Sequence, residues 1–300
     1  NTILQRLRAA KLDHDGVLRP TLAGLLALGQ YPQEFFPRLT VTVAAYPGLS
    51  KAPGVGELRL LDSVTLAGPI PVLIQDAVDA VRRNTRTGAR MDGVFRVDVP
   101  DYPPTAVREA VTNGLMHRDL SQLARGTQVQ VNVFLDRLEV LSPGGLYGTV
   151  TVDRLGDPGV SSARNLRLCA LLEDTIYPGG GMVAENRGSG YALIKAELAR
   201  AGMLPPVPSD DLDSFSVTMF RRETEQETEP TSTGTAVRQI LQTGGEHATP
   251  ELATATGLSR SAVVQQLNAL IQAGLVEPTA PPRSPRRRYR WVDLNQKLAA

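Results

Sequence analysis

The stretch that decides the fold is PTAVREAVTNGLMHRD, residues 104–119. At helical period, Glu109, Asn113 and His117 fall one turn apart and form a polar stripe. The opposite stripe is apolar and predicts a face packed against a core; it comprises Val107, Ala110, Val111, Gly114 and Leu115. A carboxylate one turn before a carboxamide supplies a group that orients or deprotonates water and an oxygen that suits Mg²⁺. A solvated helix face with ordinary polar pairs explains the same spacing, and both interpretations stand at this point.

Length and composition limit the class of protein. A chain of 300 residues predicts about two domains, and 42% apolar with 21% charged residues is typical of soluble globular protein. The single cysteine, Cys169, cannot form an internal disulfide, and no run of about 18 apolar residues offers a membrane span. We therefore expect a cytoplasmic protein without a membrane partner. Residues 1–16 contain neither an initiating Met nor an apolar signal region, so we expect the chain to begin within a longer protein.

The residues before the central stretch predict a mixed α/β arrangement. Apolar residues at helical period predict two helices, and β-rich or alternating segments bounded by Pro and Gly predict three strands. The predicted helices cover residues 20–29 and 69–83, and the predicted strands cover residues 39–45, 58–66 and 94–99.

After the central stretch, the sequence predicts a hairpin and then two glycine-rich segments. Residues 127–135 and 138–141 form the expected hairpin, which ends at the Ser-Pro-Gly-Gly corner of residues 142–145. Residues 146–163 lack periodicity and are expected to form a lid. The loop at 185–190 precedes an expected helix over 191–201, and a helix N-terminus with glycines before it suits phosphate. Each glycine segment is equally well explained as an ordinary turn.

Taken in chain order, these motifs resemble the GHKL ATP-binding fold. They are most similar to the ATP-binding transcriptional regulators that carry an AlbA-like, Schlafen-type domain upstream, and the resemblance covers residues 16–222. It depends on Glu-x-x-x-Asn-x-x-x-His-Arg-Asp at 109–119, Ser-Pro-Gly-Gly-Leu at 142–146, Arg-Asn at 164–165 and Glu-x-Arg-Gly-Ser-Gly at 185–190. The resemblance implies an α/β sandwich that holds ATP and Mg²⁺ between the central helix, the first corner and the second glycine loop. It also implies that the upstream domain lies outside this chain.

The resemblance assigns roles to particular residues. Asn113 is expected to hold Mg²⁺, Glu109 to be the catalytic base that orients water, and the N–H groups of 188–190 to contact phosphate. The full set expected to bind the cofactor is Asn113, Arg118, Ser142, Gly144, Gly145, Arg187, Gly188, Ser189 and Gly190. Two positions depart from the family pattern: Ser142 stands where an Asp usually accepts the adenine amino proton, and Leu166 follows Asn165 where the related regulators have proline.

The C-terminal part predicts a separate module. Residues 223–234 are acidic and Thr-rich and predict a linker. Three short helical patterns at 236–242, 250–256 and 261–273, followed by strand patterns at 275–277 and 288–292, resemble the winged helix-turn-helix of bacterial regulators. The expected organisation is therefore an α/β segment at 1–60, a GHKL-like domain at 61–222, the linker, and a winged helix-turn-helix domain at 235–300.

Charge favours DNA as the partner of this module. Residues 231–300 hold 8 of the 32 Lys+Arg and 4 of the 31 Asp+Glu, net +4, which leaves net −3 for residues 1–230. Arginines concentrate in the expected wing, where they suit phosphate contacts, and the start of the third helix suits base contacts. The expected DNA-binding residues are Ser259, Arg260, Ser261, Gln265, Arg283, Arg286, Arg287 and Arg288. A winged helix used for dimerisation is the alternative.

Together these features predict a bacterial, ATP-binding and DNA-binding transcriptional regulator that forms a homo-oligomer and whose nucleotide site controls the winged helix. A DNA-associated ATPase in repair or defence, with weak ATP hydrolysis, is one alternative. A degenerate GHKL-like dimerisation scaffold is the other.

Overall fold

The computed structural model describes residues 2–52, 58–92, 95–184, 190–222, 233–258, 260–272, 275–281 and 287–292. The chain divides into two compact units, residues 1–222 and residues 223–300, and each is described by itself.

The first unit contains six helices and ten strands among its described residues. The helices are α1 (Thr2–Arg6), α2 (Leu22–Leu28), α3 (Ile70–Arg83), α4 (Pro104–Met116), α5 (Leu166–Glu173) and α6 (Gly190–Arg200). The strands are β1 (Ala10–Leu12), β2 (Leu18–Pro20), β3 (Val41–Ala45), β4 (Asp62–Leu66), β5 (Thr87–Asp92), β6 (Phe95–Pro100), β7 (Val129–Val133), β8 (Arg137–Pro143), β9 (Val207–Asp211) and β10 (Ser214–Phe220).

Six of the strands form a mixed sheet in the order β4-β3-β7-β8-β10-β9. Only the β3–β7 pair of this sheet is parallel. The register aligns a row of valines across four adjacent strands, Val43, Val131, Val140 and Val217. All four are buried, so this face of the sheet forms one side of the hydrophobic core.

Helix α4 packs on this face of the sheet, as its apolar stripe predicts. Val107, Val111 and Leu115 are almost fully buried, and Gly114 lies where an added Cβ would be 3.5 Å from a Val140 methyl. Helices α3 and α6 pack against α4. The polar stripe on the opposite side of α4 therefore faces α6.

The first 60 residues contribute to the same core. Strand β3 lies inside the sheet, and Leu26 of α2 joins the main apolar cluster. Thr21 begins α2 by accepting from the Gly24 N–H at 3.1 Å. Gly24 contacts the Ala9 backbone so closely that a Cβ would clash with it.

The second unit contains three helices and one hairpin among its described residues. They are α7 (Thr233–Gln242), α8 (Thr249–Thr256), α9 (Arg260–Gln272) and the antiparallel pair β11 (Val276–Pro278) and β12 (Tyr289–Trp291). Leu252, Val263 and Leu267 form its core together with Val237, Leu241, Val276 and Tyr289. Gly257 ends α8 with φ of +69°, in the left-handed region where glycine is favoured.

The prediction of an α/β fold is confirmed, and so is the three-helix and hairpin arrangement of the C-terminal module. The finer prediction of a GHKL-type sandwich stays a prediction. Seven elements of the first unit were not predicted from the sequence: α1, α5, β1, β2, β5, β9 and β10. Within the described part of the chain, no helix is long and apolar enough to span a membrane.

Candidate functional site

The polar stripe of α4 brings a carboxylate and a carboxamide together. The Asn113 Nδ2 atom lies 3.3 Å from Glu109 Oε1, and both residues are half-buried. Gly190, the first residue of α6, lies directly against this pair, because an added Cβ would clash with the Glu109 carboxylate and come within 2.7 Å of Asn113 Nδ2. The positive end of the α6 helix dipole therefore begins beside the carboxylate. A side chain at position 190 would displace one of the two groups.

Two contacts hold the first turn of α6 in place. The Tyr191 hydroxyl donates to the Pro206 carbonyl at 3.0 Å, and burial raises the pKa of that hydroxyl to about 12. Gly156, from the segment predicted as a lid, packs against Tyr191, with an added Cβ 3.1 Å from the ring. The lid segment thus lies against the same turn of α6 that contacts the polar pair.

Side chains from the first glycine motif and from the residues before α5 satisfy the C-terminal carbonyls of α4. The Ser142 hydroxyl, at the end of β8, donates to the Gly114 carbonyl at 2.7 Å. The Asn165 carboxamide donates to the carbonyls of Met116 at 2.9 Å and Arg118 at 2.8 Å. A helix leaves its last carbonyls without intrahelical donors, so these contacts fix where α4 ends.

The Ser142 proton is committed to Gly114, and the side chain is 6% exposed. The Ser142 oxygen can still accept a hydrogen bond, which is what the adenine amino group would need from it. The geometry therefore gives Ser142 a structural contact first, and its proposed contact with adenine stays a prediction.

The first glycine corner is held by neighbouring segments. The Gly144 N–H donates to the Asp213 carbonyl at 2.7 Å, and the Leu146 N–H donates to the Asp210 carboxylate at 2.6 Å. Arg164 donates to the Gly145 carbonyl. Gly144 has φ of +89°, and a Cβ there would come within 2.8 Å of the Arg164 guanidinium. The Gly144 amide, which was expected to face a ligand, thus has a partner within the protein, and so does the neighbouring Leu146 amide.

Two residues of the Glu-x-x-x-Asn-x-x-x-His-Arg motif lie at the end of α4, where Arg118 is buried and His117 is half-buried. Arg118 is 2% exposed and donates to the carbonyls of Thr127 and Ala124, and burial lowers the pKa of its guanidinium to about 10. Burial also lowers the pKa of His117, and the nearby Arg164 guanidinium lowers it further. His117 is therefore neutral at pH 7. The structure places Arg118 against the 124–127 backbone, and its expected contact with the cofactor stays a prediction.

The Glu109–Asn113 pair suits a metal ion that takes most of its ligands from phosphate and water. Mg²⁺ commonly binds through one or two protein oxygens and completes its shell with phosphate and water. The Glu109 carboxylate and the Asn113 carboxamide oxygen match that requirement, and Gly190 is the residue whose missing side chain lets α6 approach them. The described residues contain no cluster of three or more His, Cys, Asp or Glu that would form an all-protein metal site.

In the second unit, the arginines of the wing have different surroundings. The Arg288 guanidinium donates to both Glu251 oxygens, at 3.0 and 3.4 Å, and to the Glu246 carbonyl at 2.9 Å. Arg290 pairs with Glu277. The Arg287 guanidinium carbon lies 5.4 Å from the centre of the Tyr289 ring. The wing is therefore tied to α8 through Arg288, whereas Arg287 rests on an aromatic face.

Helix α8 begins one residue earlier than expected. The residue before the helix is Ala248, and the Glu251 carboxylate accepts from the Ala248 N–H at 2.9 Å. That hydrogen bond, followed by the charge of Arg288, lowers the pKa of Glu251. Arg260 is exposed at the start of α9, where a DNA contact was predicted.

Several predicted site residues lie outside the described residues. They are Arg187, Gly188, Ser189, Ser259, Arg283 and Arg286, together with the side chains of Ser261 and Gln265. Their expected roles stay predictions. Arg164 and Asn165 were visible in the sequence only as a motif, with no role in the site assigned to either. Asp210 has no local pattern that points to a glycine corner 64 residues earlier.

Comparisons with known proteins match each unit separately. Residues 126–219 match the family described as putative ATP-dependent DNA helicase recG C-terminal, and residues 237–277 match the bacterial regulatory protein, arsR family. No curated protein matches the chain.

A crystal structure of the DIP2311 protein from Corynebacterium diphtheriae is similar in fold. The TM-score is 0.56 with 18% sequence identity, and the match covers 99% of this chain and 58% of that one. The chain thus spans less than two thirds of the length of that protein. At this identity the likeness shows the fold alone.

The chain therefore combines an ATPase-like domain with a C-terminal helix-turn-helix domain of the ArsR type. The AlbA-like, Schlafen-type relationship is not among these matches and stays a prediction.

The contacts of Asn165 lead to a prediction about stability. Replacing Asn165 with alanine leaves two carbonyls at the end of α4 without their donor, so the free energy of unfolding should fall by about 1–3 kcal/mol. Urea unfolding followed by circular dichroism measures the change. Asn268→Ala, on an exposed position of α9, is the control and should stay within about 0.5 kcal/mol of wild type. Equal effects of the two substitutions would contradict the capping role.

Proposed function

We propose that this protein is a DNA-binding regulator whose ATPase-like domain binds ATP with Mg²⁺. The observation that carries the proposal is the pairing of Glu109 and Asn113 against the first residue of α6, inside a chain that also carries an ArsR-type helix-turn-helix domain. Control of the winged helix by nucleotide, a homo-oligomeric state and a cytoplasmic location are parts of the same proposal.

The chemistry of the nucleotide site follows from which atoms are available. The Asn113 carboxamide oxygen would hold Mg²⁺, which supplies positive charge beside the phosphates when it is bound. The N–H groups at the start of α6 would donate to the phosphates, because a helix leaves its first N–H groups without intrahelical partners. The cofactor contacts expected of residues 187–189 belong to this side of the site.

Glu109 has the position for a role with water. Its carboxylate lies one turn before Asn113 and within hydrogen-bonding distance of the carboxamide, so a water beside Asn113 would lie within reach of both groups. In this role Glu109 would accept the proton of a water whose oxygen attacks the terminal phosphorus, while the bond from that phosphorus to the bridging oxygen breaks and the nucleoside diphosphate leaves.

The DNA-binding part of the proposal depends on charge and on the helix-turn-helix. Residues 231–300, which include the helix-turn-helix, carry net charge +4, and α9 begins with the exposed Arg260. The pairing of Arg288 and Arg290 with acids leaves Arg287 as the described wing arginine with no carboxylate at ion-pair distance. Arg287 is therefore the described residue of the wing best suited to a phosphate contact.

Two alternatives remain distinguishable by experiment. A DNA-associated ATPase would couple turnover to DNA, whereas a degenerate scaffold would bind no nucleotide. The ATPase-like match over residues 126–219 favours a nucleotide site over the scaffold.

The metal role of Asn113 predicts a specific loss of affinity. Asn113→Ala removes the oxygen proposed to hold Mg²⁺, so the affinity for ATP with Mg²⁺ should fall about tenfold or more. Titration calorimetry with Mg²⁺ measures this, and the same titration in EDTA is the control, because Mg²⁺-free binding should change little. An unaltered affinity for Mg²⁺-ATP in a folded variant would rule out the metal role.

The role of Glu109 predicts a separation of binding from turnover. Glu109→Gln keeps the shape of the side chain but removes its basicity, so ATP should still bind while hydrolysis falls by about 10². A phosphate-release assay at saturating ATP measures turnover. If wild type shows no hydrolysis above background, Glu109 is not a catalytic base and the ATPase alternative is excluded.

The surroundings of the wing arginines predict different salt dependences. If Arg287 contacts one phosphate, Arg287→Gln should reduce the slope of log affinity against log salt by about 0.9. Arg290→Gln removes the same charge from a residue already paired with Glu277, so its slope should stay near that of wild type. Fluorescence anisotropy with a duplex of about 20 bp, between about 50 and 200 mM salt, compares them. Identical slopes for both variants would show that Arg287 makes no phosphate contact.

A further inference from the structure

A cleft between α1 and α5, within the first unit, includes neither Glu109 nor Asn113 in its lining. It has a volume of about 300 Å³. Three arginines, three leucines, one alanine and one acid line it, and those that bear on a ligand are Arg6, Arg8, Arg167, Leu7, Leu171 and Asp174. A cleft of this size is at the lower end of the range for small-molecule sites.

The backbone at Arg8 is strained. Arg8 has φ of +57°, and among the described residues it is the one non-glycine residue with positive φ. The Arg8 N–H donates to the Gln5 carbonyl at 3.0 Å and the Ala9 N–H to the Leu4 carbonyl at 2.9 Å, which is the hydrogen-bond pattern of a Schellman motif. Glycine is usual at this position, because a Cβ is unfavourable in the left-handed region. The backbone conformation at residue 8 therefore favours glycine, whereas the sequence has arginine there.

The charge of Arg167 is also locally unfavourable. Arg167 is the second residue of α5, where the helix dipole places partial positive charge. The residue before α5 is Asn165, whose side chain donates to the end of α4, and it makes no side-chain cap on α5. The first turn of α5 thus adds partial positive charge to a cleft that already holds three guanidinium groups.

Little within the protein balances this charge. In the described part of the chain, none of the ion pairs involves Arg6, Arg8 or Arg167. Asp174 is the one acid in the lining, which leaves two positive charges in excess. A bound anion would offset the repulsion among the arginines and give the strained Arg8 backbone a function.

We propose that this cleft binds a small phosphate ester. The phosphate dianion is held by Arg6, Arg8 and Arg167, since guanidinium groups match phosphate geometry with paired hydrogen bonds. Leu7, which is 44% exposed, and Leu171 supply an apolar wall for the organic part of the ligand. This site is independent of the proposed nucleotide site and of Mg²⁺.

Phenyl phosphate is a suitable probe, because it combines a dianion with a small apolar ring. Titration calorimetry of the whole chain with phenyl phosphate, in EDTA, should show binding in the millimolar range or tighter. Arg8→Gly and Arg167→Gln should each weaken binding about tenfold or more. Arg200→Gln, which removes the same charge from the exposed end of α6, is the control and should bind as wild type does.

Stability separates a binding role of Arg8 from a structural one. Because glycine tolerates positive φ, Arg8→Gly should unfold at the same temperature as wild type or higher while it loses binding. Asp174→Asn should bind more tightly than wild type, since it removes the one acid of the lining. Asn113→Ala should leave phenyl phosphate binding unchanged, so that failure here is distinguishable from failure of the nucleotide site.

Three results would overturn the proposal. They are no detectable binding of phenyl phosphate, affinities in Arg8→Gly and Arg167→Gln equal to that of wild type, or a loss of binding in Arg200→Gln as large as in those variants. Inorganic phosphate should bind more weakly than phenyl phosphate. Equal affinities for the two would contradict the role of the leucines and identify the ligand as a free anion.

Discussion

The hydrogen bonds that close the C-terminal end of α4 are the constraint on which the rest of the first unit depends. Ser142 donates to one of the last carbonyls of the helix, and Asn165 donates to another and to the carbonyl of Arg118. These donors come from the end of a central strand and from the residue that precedes α5, so they join three elements distant in sequence. Because buried carbonyls are costly to leave unpaired, α4 has one position along the sheet. That position places its polar stripe beside the start of α6.

The sequence predicted α4 well because two independent patterns agreed there. The apolar stripe specified the buried face, and the buried Val107, Val111 and Leu115 confirm it. Strands β3, β7 and β8 were predicted because they are β-rich and alternate or end at glycine and proline. Strand β9 was missed, since Val207–Asp211 is rich in Asp, Ser and Pro, which ordinarily predict a loop. Pairing with β10 makes these residues a strand, and β10 itself pairs with β8, a contact between segments distant in sequence. Strand β10 was also missed, although Phe215, Val217 and Met219 alternate with polar residues.

In the candidate sites too, the sequence predicted local spacing but not contacts between residues distant in the chain. The Glu109–Asn113 spacing is local, so the sequence could place both groups on one face of a helix. The pairing of Arg288 with Glu251 joins residues 37 positions apart, whereas Arg288 was expected from the sequence to contact DNA. The sequence therefore showed that positive charge is concentrated near the C-terminus. It did not show which of these arginines pair with acids within the protein and which remain available to a partner. Arg287 and Arg290 differ in the structure in a way that their composition cannot show.

The first glycine corner illustrates how one motif serves two requirements. Its glycines were expected to expose amides to a ligand, but Gly144 donates to Asp213 in the turn between β9 and β10, and the neighbouring Leu146 donates to Asp210 of β9. Gly144 and Gly145 are required in any case by close neighbours, since a Cβ at Gly144 would meet Arg164 and one at Gly145 would come within 2.7 Å of the Asp210 carboxylate. An anionic ligand at this corner would also have to displace or approach that carboxylate. Phosphate charge is therefore better accommodated at the α6 side of the site, where a helix N-terminus faces the polar pair, than at the corner.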